Sequence, residues 1–186
     1  MSKLIYFMPM SLDGFIADET GSQDWSAPDE QVLAFISDLH RPIGAYLYGR
    51  KNYATMAVWQ TPDLIPGLTP AMMDFGRIWQ AADKIVYSTS LEAVSTPKTR
   101  LVRKFEPQAV RELKAQLPYD ISVAGPNLAA QAIRAGLVDE FQLLAAPYLL
   151  GGGKRVLPGG AGIRLDLLDE RQVGNGWVYL RYRPVV

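Results

Sequence analysis

Short apolar runs alternate with segments of helical period along this chain. The run Leu4 to Met8 is stopped by Pro9 and followed by the turn-forming pair Asp13-Gly14, which predicts a buried first strand. A polar, turn-rich stretch leads to Pro28-Asp29-Glu30, after which Val32, Leu33, Phe35, Ile36 and Leu39 fall at helical spacing. Carboxylates in that first turn suit the helix dipole. Ala45 to Tyr48 predicts a second strand ending at Gly49-Arg50, and Pro70 to Ala82 a helix. Thr61 to Pro70, with Pro62, Pro66 and Pro70, is a loop inside the domain and not a domain boundary. The pattern then repeats: strand Lys84 to Ser88, helix Pro107 to Leu117, strand Ile121 to Ala124, and an Ala-rich helix Leu128 to Ala135 closed by Gly136. Strand Val138 to Ala145 precedes Pro147 and the loop Gly151-Gly152-Gly153. Last, Leu165 to Val173 and Trp177 to Arg183 flank Gly174-Asn175-Gly176 as a closing hairpin.

Strands alternating with helices predict an α/β class, with a largely parallel sheet covered by helices and antiparallel strands added at the end. The length, 186 residues, fits a single domain over residues 1–186, large enough to bury roughly 70% of its unfolded surface.

Composition narrows the chemistry. Nineteen basic and nineteen acidic residues give zero formal net charge, so no general field is offered to nucleic acid or an anionic membrane. There is no cysteine and one histidine, which excludes thiol nucleophiles, iron–sulfur clusters and a zinc cage; no metal site is expected. No long apolar span and no signal-like start is present, so a cytoplasmic location is expected. His40, at the end of the first helix, reads as a helix-end cation and not as a general base. Ser11 beside Asp13 has no histidine near it in sequence, so serine hydrolysis is rejected.

Three strand ends meet small or hydroxyl residues ahead of a helix: Gly49-Arg50-Lys51, Ser88-Thr89-Ser90 and Gly125-Pro126-Asn127. Such turns favour these residues for local reasons, yet at the carboxyl ends of strands they also offer backbone N–H groups to phosphate. Three together, one with adjacent cations, point to a phosphorylated ligand. Neither the dinucleotide fingerprint nor the ATPase loop is present: Gly151 and Gly153 are followed by Val156, and Gly153-Lys154 by Arg155.

Ser11-Leu12-Asp13-Gly14-Phe15-Ile16-Ala17, Tyr48-Gly49-Arg50-Lys51-Asn52-Tyr53 and the strand into Ser88-Thr89-Ser90 resemble the dihydrofolate reductase superfamily. Ala135 to Glu140 and Ala146-Pro147-Tyr148-Leu149-Leu150-Gly151-Gly152-Gly153 are similar to its riboflavin-biosynthesis branch, the pyrimidine reductase domain. The resemblance implies a mixed, mostly parallel sheet of about eight strands flanked by helices. It also implies bound NADPH and hydride transfer to a small nitrogen heterocycle or ribosylamino pyrimidine. A folate or pterin reductase, or a nucleotide-binding protein of the same fold without turnover, are the alternatives.

By position in that family, Gly49, Arg50 and Lys51 would hold the cofactor phosphates, and Ser88, Thr89 and Ser90 would lie near the adenosine ribose phosphate. Gly125, Pro126, Asn127 and Leu128 would form the glycine-rich helix start, with Asp13 and Gly14 beside the nicotinamide. Asp13 and Glu30 are the candidate catalytic carboxylates. The family's usual Glu before the glycines is replaced by Ala124. The resembling reductases commonly pair, so a homodimer is compatible with the resemblance. Hydride chemistry suits a chain poor in His and Cys, because a cofactor carries the reaction and the protein orients it.

Overall fold

The computed structural model describes residues 2–185. The first strand, β1 (Leu4–Ser11), sends Leu4, Tyr6 and Met8 to one face and Ile5 and Phe7 to the other, and all five are buried. A strand apolar on both faces must lie inside a sheet covered on both sides. Pro9 does not end β1 as expected. Pairing with β6 (Asp120–Ala124) stops at Tyr6, whereas pairing with β7 (Glu140–Ala146) runs on to Ser11. Pro9 therefore sits where one side of the strand is already free of partners, which a residue without an N–H tolerates.

After β1 come a short strand β2 (Phe15–Ala17), helix α1 (Glu30–His40), strand β3 (Ile43–Gly49) and helix α2 (Arg50–Met56). Asp29 caps α1 by accepting from the Val32 N–H at 2.8 Å. Helix α3 (Pro70–Ala81) is capped by Thr69 and carries Pro in its first turn. Strands β4 (Asp83–Tyr87) and β5 (Thr99–Val102), helix α4 (Pro107–Gln116), β6, helix α5 (Pro126–Arg134) and β7 follow. The two-residue β8 (Lys154–Arg155) and the hairpin β9 (Leu165–Val173) and β10 (Trp177–Pro184) complete the chain.

Eight strands form one sheet in the order β5-β4-β3-β6-β1-β7-β10-β9. Every pairing from β5 to β7 is parallel, and β10 joins β7 and β9 antiparallel. The expected mixed, mostly parallel α/β sheet with a terminal hairpin is present. Val32 and Ile36 of α1 and Phe75 and Trp79 of α3 cover one face, with Ile5, Phe7, Tyr46 and Tyr48. Val110 of α4 and Leu128, Ala129, Ala132 and Ile133 of α5 cover the other, with Leu4, Tyr6 and Leu47. Strand alternation thus divides the core into two layers, one on each side of the sheet.

Three strands escaped the sequence reading: β2, β5 and β8. They hold only two to four residues each and are defined by a partner, not by their own pattern. No helix among the described residues is long and apolar enough to cross a membrane.

Candidate functional site

Because β3, β4 and β6 are neighbours and parallel, their carboxyl ends open on one side of the sheet. There Gly49, Tyr87, Ser88 and Gly125 border a cleft of about 820 Å³, within the range of small-ligand sites. The strand-to-helix turn after β6 depends on Gly125, whose φ is +88°. A Cβ there would also stand 3.3 Å from that of Asn52. Glycine lets the chain turn left-handed and lets α2 approach closely. No side chain caps α5, which begins with Pro126, so the N–H groups of its first turn remain available to a ligand.

The cleft is electrically one-sided although the chain is neutral. Five lining residues are cations, Arg50, Lys51, Arg103, Lys104 and Lys154, and none is a carboxylate. Lys104 pairs with Glu106 at 2.6 Å, and Arg103 donates to the carbonyls of Ser88 and Leu91. Arg50, Lys51 and Lys154 form no salt bridge among the described residues. Burial first, and the nearby charge of Lys51 second, hold the Lys154 ammonium below its ordinary pKa. A buried Asn52 amide oxygen in the wall also lacks a hydrogen-bond partner among the described residues. Unpaired cations, open helix amides and an unsatisfied polar atom make a surface that fits a polyanionic ligand with hydroxyl or amide groups.

The three strand-end segments singled out by sequence meet here. Gly49, Arg50, Lys51, Ser88, Thr89, Gly125, Pro126, Asn127 and Leu128 all line the cleft. Ser90 and Gly14 do not. Ser88 uses its own hydroxyl to accept from the N–H groups of Ser90 and Leu91, at 3.2 and 3.0 Å, so that oxygen shapes the turn. Sequence reasoning passed over Asn52, Arg103, Phe105 and Gln131 as site residues, whereas Lys154, which the glycine loop and its adjacent cations mark as a candidate anion contact, does line the cleft. Phe105, edge-on to Tyr87, and Arg103 become neighbours of Ser88 only through the β4 and β5 pairing.

Neither expected catalytic carboxylate reaches the cleft wall. Glu30 is an exposed residue in the first turn of α1, where it suits the helix dipole. Asp13 accepts from Ser11 Oγ at 2.6 Å and from the backbone N–H groups of Leu150 and Gly151 at 3.0 and 2.7 Å. These bonds, that from Ser11 foremost, bring its pKa down to about 2. A proton donor near neutral pH needs the opposite shift; Asp13 instead ties the end of β1 to the glycine turn ahead of β8.

His40 is also not the helix-end cation expected. It is buried against Phe7 and Phe75, its Nδ1 lies 3.0 Å from the Tyr46 hydroxyl, and burial takes its pKa down to about 4. The ring is neutral core.

The fold is dihydrofolate reductase-like. The chain belongs to the RibD C-terminal domain family, whose model matches residues 2–179. It is 26% identical over 182 residues to the uncharacterized protein YyaP of Bacillus subtilis (strain 168), covering 97% of this chain and 94% of that one. Among solved structures it is similar to a putative riboflavin biosynthesis protein from Shewanella sp. PV-4, with TM-score 0.77, 20% identity and 99% of both chains covered. It is also similar to a dihydrofolate reductase from Enterococcus faecalis complexed with NADP(H) and RAB-propyl, with TM-score 0.65, 13% identity, and 99% and 97% of the two chains covered.

Proposed function

We propose that this protein is an NADPH-dependent reductase acting on a small nitrogen heterocycle or a ribosylamino pyrimidine. The observation that carries this reading is the cleft at the ends of β3, β4 and β6, lined by five cations and no carboxylate beside the uncapped start of α5. In this reading Gly49 and the first turn of α5 hold the pyrophosphate. Arg50 and Arg103, with Ser88 and Thr89, face the adenosine phosphate, and the edge-on pair Phe105 and Tyr87 offers an aromatic surface to the base. The cofactor supplies the hydride when bound; the protein's part is to fix both rings. With no acidic side chain on the cleft wall, the proton for the reduced ring comes from solvent. The membership of the RibD C-terminal domain family supports the substrate class.

The test is nucleotide fluorescence with parent and variant protein. Replacing Arg50 and Lys51 together by Ala should weaken NADPH about a hundredfold and NADH about tenfold, since charge-assisted contacts are worth roughly 1.5–3 kcal/mol each and only NADPH has the extra phosphate. Equal loss of both nucleotides would overturn the cofactor assignment. Tight NADPH binding without oxidation on any pterin or pyrimidine offered would favour a binding protein over a reductase.

A further inference from the structure

A second cavity, of about 210 Å³, lies towards the amino ends of β1 and β7, between the sheet and α1, at the opposite end of the strands from the cleft. Tyr179 of β10 stands opposite Leu144, and Gln142 of β7 opposite Arg181, so the two side chains are diagonal neighbours on the face towards α1, and both border the cavity. Tyr179 is 1% exposed and Gln142 7%. Neither the Tyr179 hydroxyl nor the Gln142 amide oxygen has a hydrogen-bond partner among the described residues, and the Gln142 nitrogen donates only to Glu140, at 3.4 Å.

The charged groups around this cavity are already spoken for. Lys3 and Arg181 hold Glu140, Arg171 holds Asp169, Arg41 holds Asp38, and Asp120 accepts from the Lys3 N–H. What remains is neutral: a phenol and a carboxamide, each costly to bury without a partner. Burial takes the Tyr179 pKa up to about 12, so the hydroxyl keeps its proton and is offered as a donor. Water could serve both groups, but Ile5, Phe35 and Leu39 give the rest of the wall no polar side-chain atom. Water on such a wall is readily displaced by the apolar body of a ligand.

We propose that this cavity is a second binding site, for a small, flat, uncharged ring that carries a lactam group. A lactam presents an N–H and a C=O side by side, as the Gln142 carboxamide does. Its N–H donates to the Gln142 amide oxygen, and its carbonyl accepts from the Gln142 nitrogen and from the Tyr179 hydroxyl. The body of the ring covers Phe35 and Leu39. Both unpartnered groups are then satisfied and no ion pair is broken, whereas an anion or a cation would have to compete for groups that already hold one another. The site stands whether or not the cleft at the other end of the sheet carries out a reduction.

The experiment is an NMR titration of the isotope-labelled whole chain with 2-pyridone, N-methyl-2-pyridone and benzoate as probes. The first should shift the backbone amides of Gln142 and Tyr179 saturably. N-methyl-2-pyridone, which keeps ring and carbonyl but lacks the N–H, should bind about fivefold more weakly, and benzoate should not bind. Tyr179→Phe removes an oxygen that no described residue uses, so it should weaken 2-pyridone about fivefold and leave the unfolding temperature unchanged. Gln142→Met should weaken it about tenfold; should that variant not fold, Tyr179→Phe decides. The absence of any saturable shift at Gln142 and Tyr179 would mean that the cavity holds water only and would overturn the site. Shifts confined to Gly49 and Gly125 would do the same, since they put the probe in the cleft. Equal binding of all three probes, or unchanged affinity in Tyr179→Phe, would overturn the lactam assignment.

Discussion

At the amino ends of β1, β6 and β7 every charged group has found a partner, while at the carboxyl ends of β3, β4 and β6 the principal cations have not. Glu140 at the start of β7 accepts from Arg181 Nε and Nη2 at 2.8 and 2.9 Å and from Lys3 Nζ at 2.7 Å. Lys114 meets Asp139 at 2.6 Å, Asp139 also accepts from the Leu4 N–H, and Asp120 accepts from the Lys3 N–H. These contacts lock the parallel strands at one end. Burial alone would raise the Glu140 pKa, but the hydrogen bonds from Arg181 and Lys3 bring it down to about 2. At the other end Arg50, Lys51 and Lys154 face open cleft. A neutral chain has thus divided its charge: one end uses it to fold, and the other leaves it free for a ligand.

The sharpest way to break this contrast is Arg181→Met, which leaves the buried Glu140 with Lys3 and the longer 3.4 Å hydrogen bond from Gln142 Nε2. It should cost about 3 kcal/mol in urea unfolding, as expected for one half of a mostly buried pair, and leave nucleotide affinity untouched. A loss of NADPH binding to match would mean the two ends are coupled.

Acid separates the same groups. The native pKa of Glu140 lies below that of the unfolded chain, so its contribution is complete above about pH 4.5 and is lost only as pH falls towards 2. His40 acts earlier. Its native pKa of about 4 lies below the ordinary 6.5, so the unfolded chain takes up a proton first. Stability should then decline as pH drops from about 6.5 to 4, by up to about 3 kcal/mol. Thermal unfolding of His40→Phe, with the ring retained, should lack that slope between pH 6.5 and 4; an unchanged slope would assign it to other groups.

Two smaller effects concern the cleft end. Asp13→Asn removes one of the acceptors that fix the glycine turn, and should loosen Lys154 enough to weaken NADPH by roughly fivefold, measured by calorimetry. An abolished reaction with affinity intact would instead restore Asp13 to a chemical role. The Arg50 and Lys51 double variant should unfold within about 0.5 kcal/mol of the parent, as unpaired surface cations contribute little to stability. A large destabilisation would show that these cations serve the fold after all.

Much of the architecture was legible from local pattern. The α1 helix announced itself by period and by its acidic first turn, α3 and α4 by Pro70 and Pro107 at their starts, and the terminal hairpin by its Gly-Asn-Gly turn. The strand-end clusters at Gly49, Ser88 and Gly125 were visible for the same reason, since turns are built from neighbouring residues. His40 and Asp13 were read less well. Whether a histidine is charged depends on Phe7, Tyr46 and Phe75, and whether a carboxylate can donate a proton depends on Leu150 and Gly151. None of those partners is marked in the local sequence.

The sequence by itself determined the periods, the caps, the two-faced apolar strands and the supply of cations at strand ends, because each depends on residues within a few positions of one another. Tertiary structure alone decided that Lys154 reaches the cleft, that Arg103 joins Ser88, and that Glu140 is neutralised while Arg50 is not. Those outcomes depend on distances between remote parts of the chain, which are set by how strands order in the sheet and how tightly Gly153 lets two backbones approach.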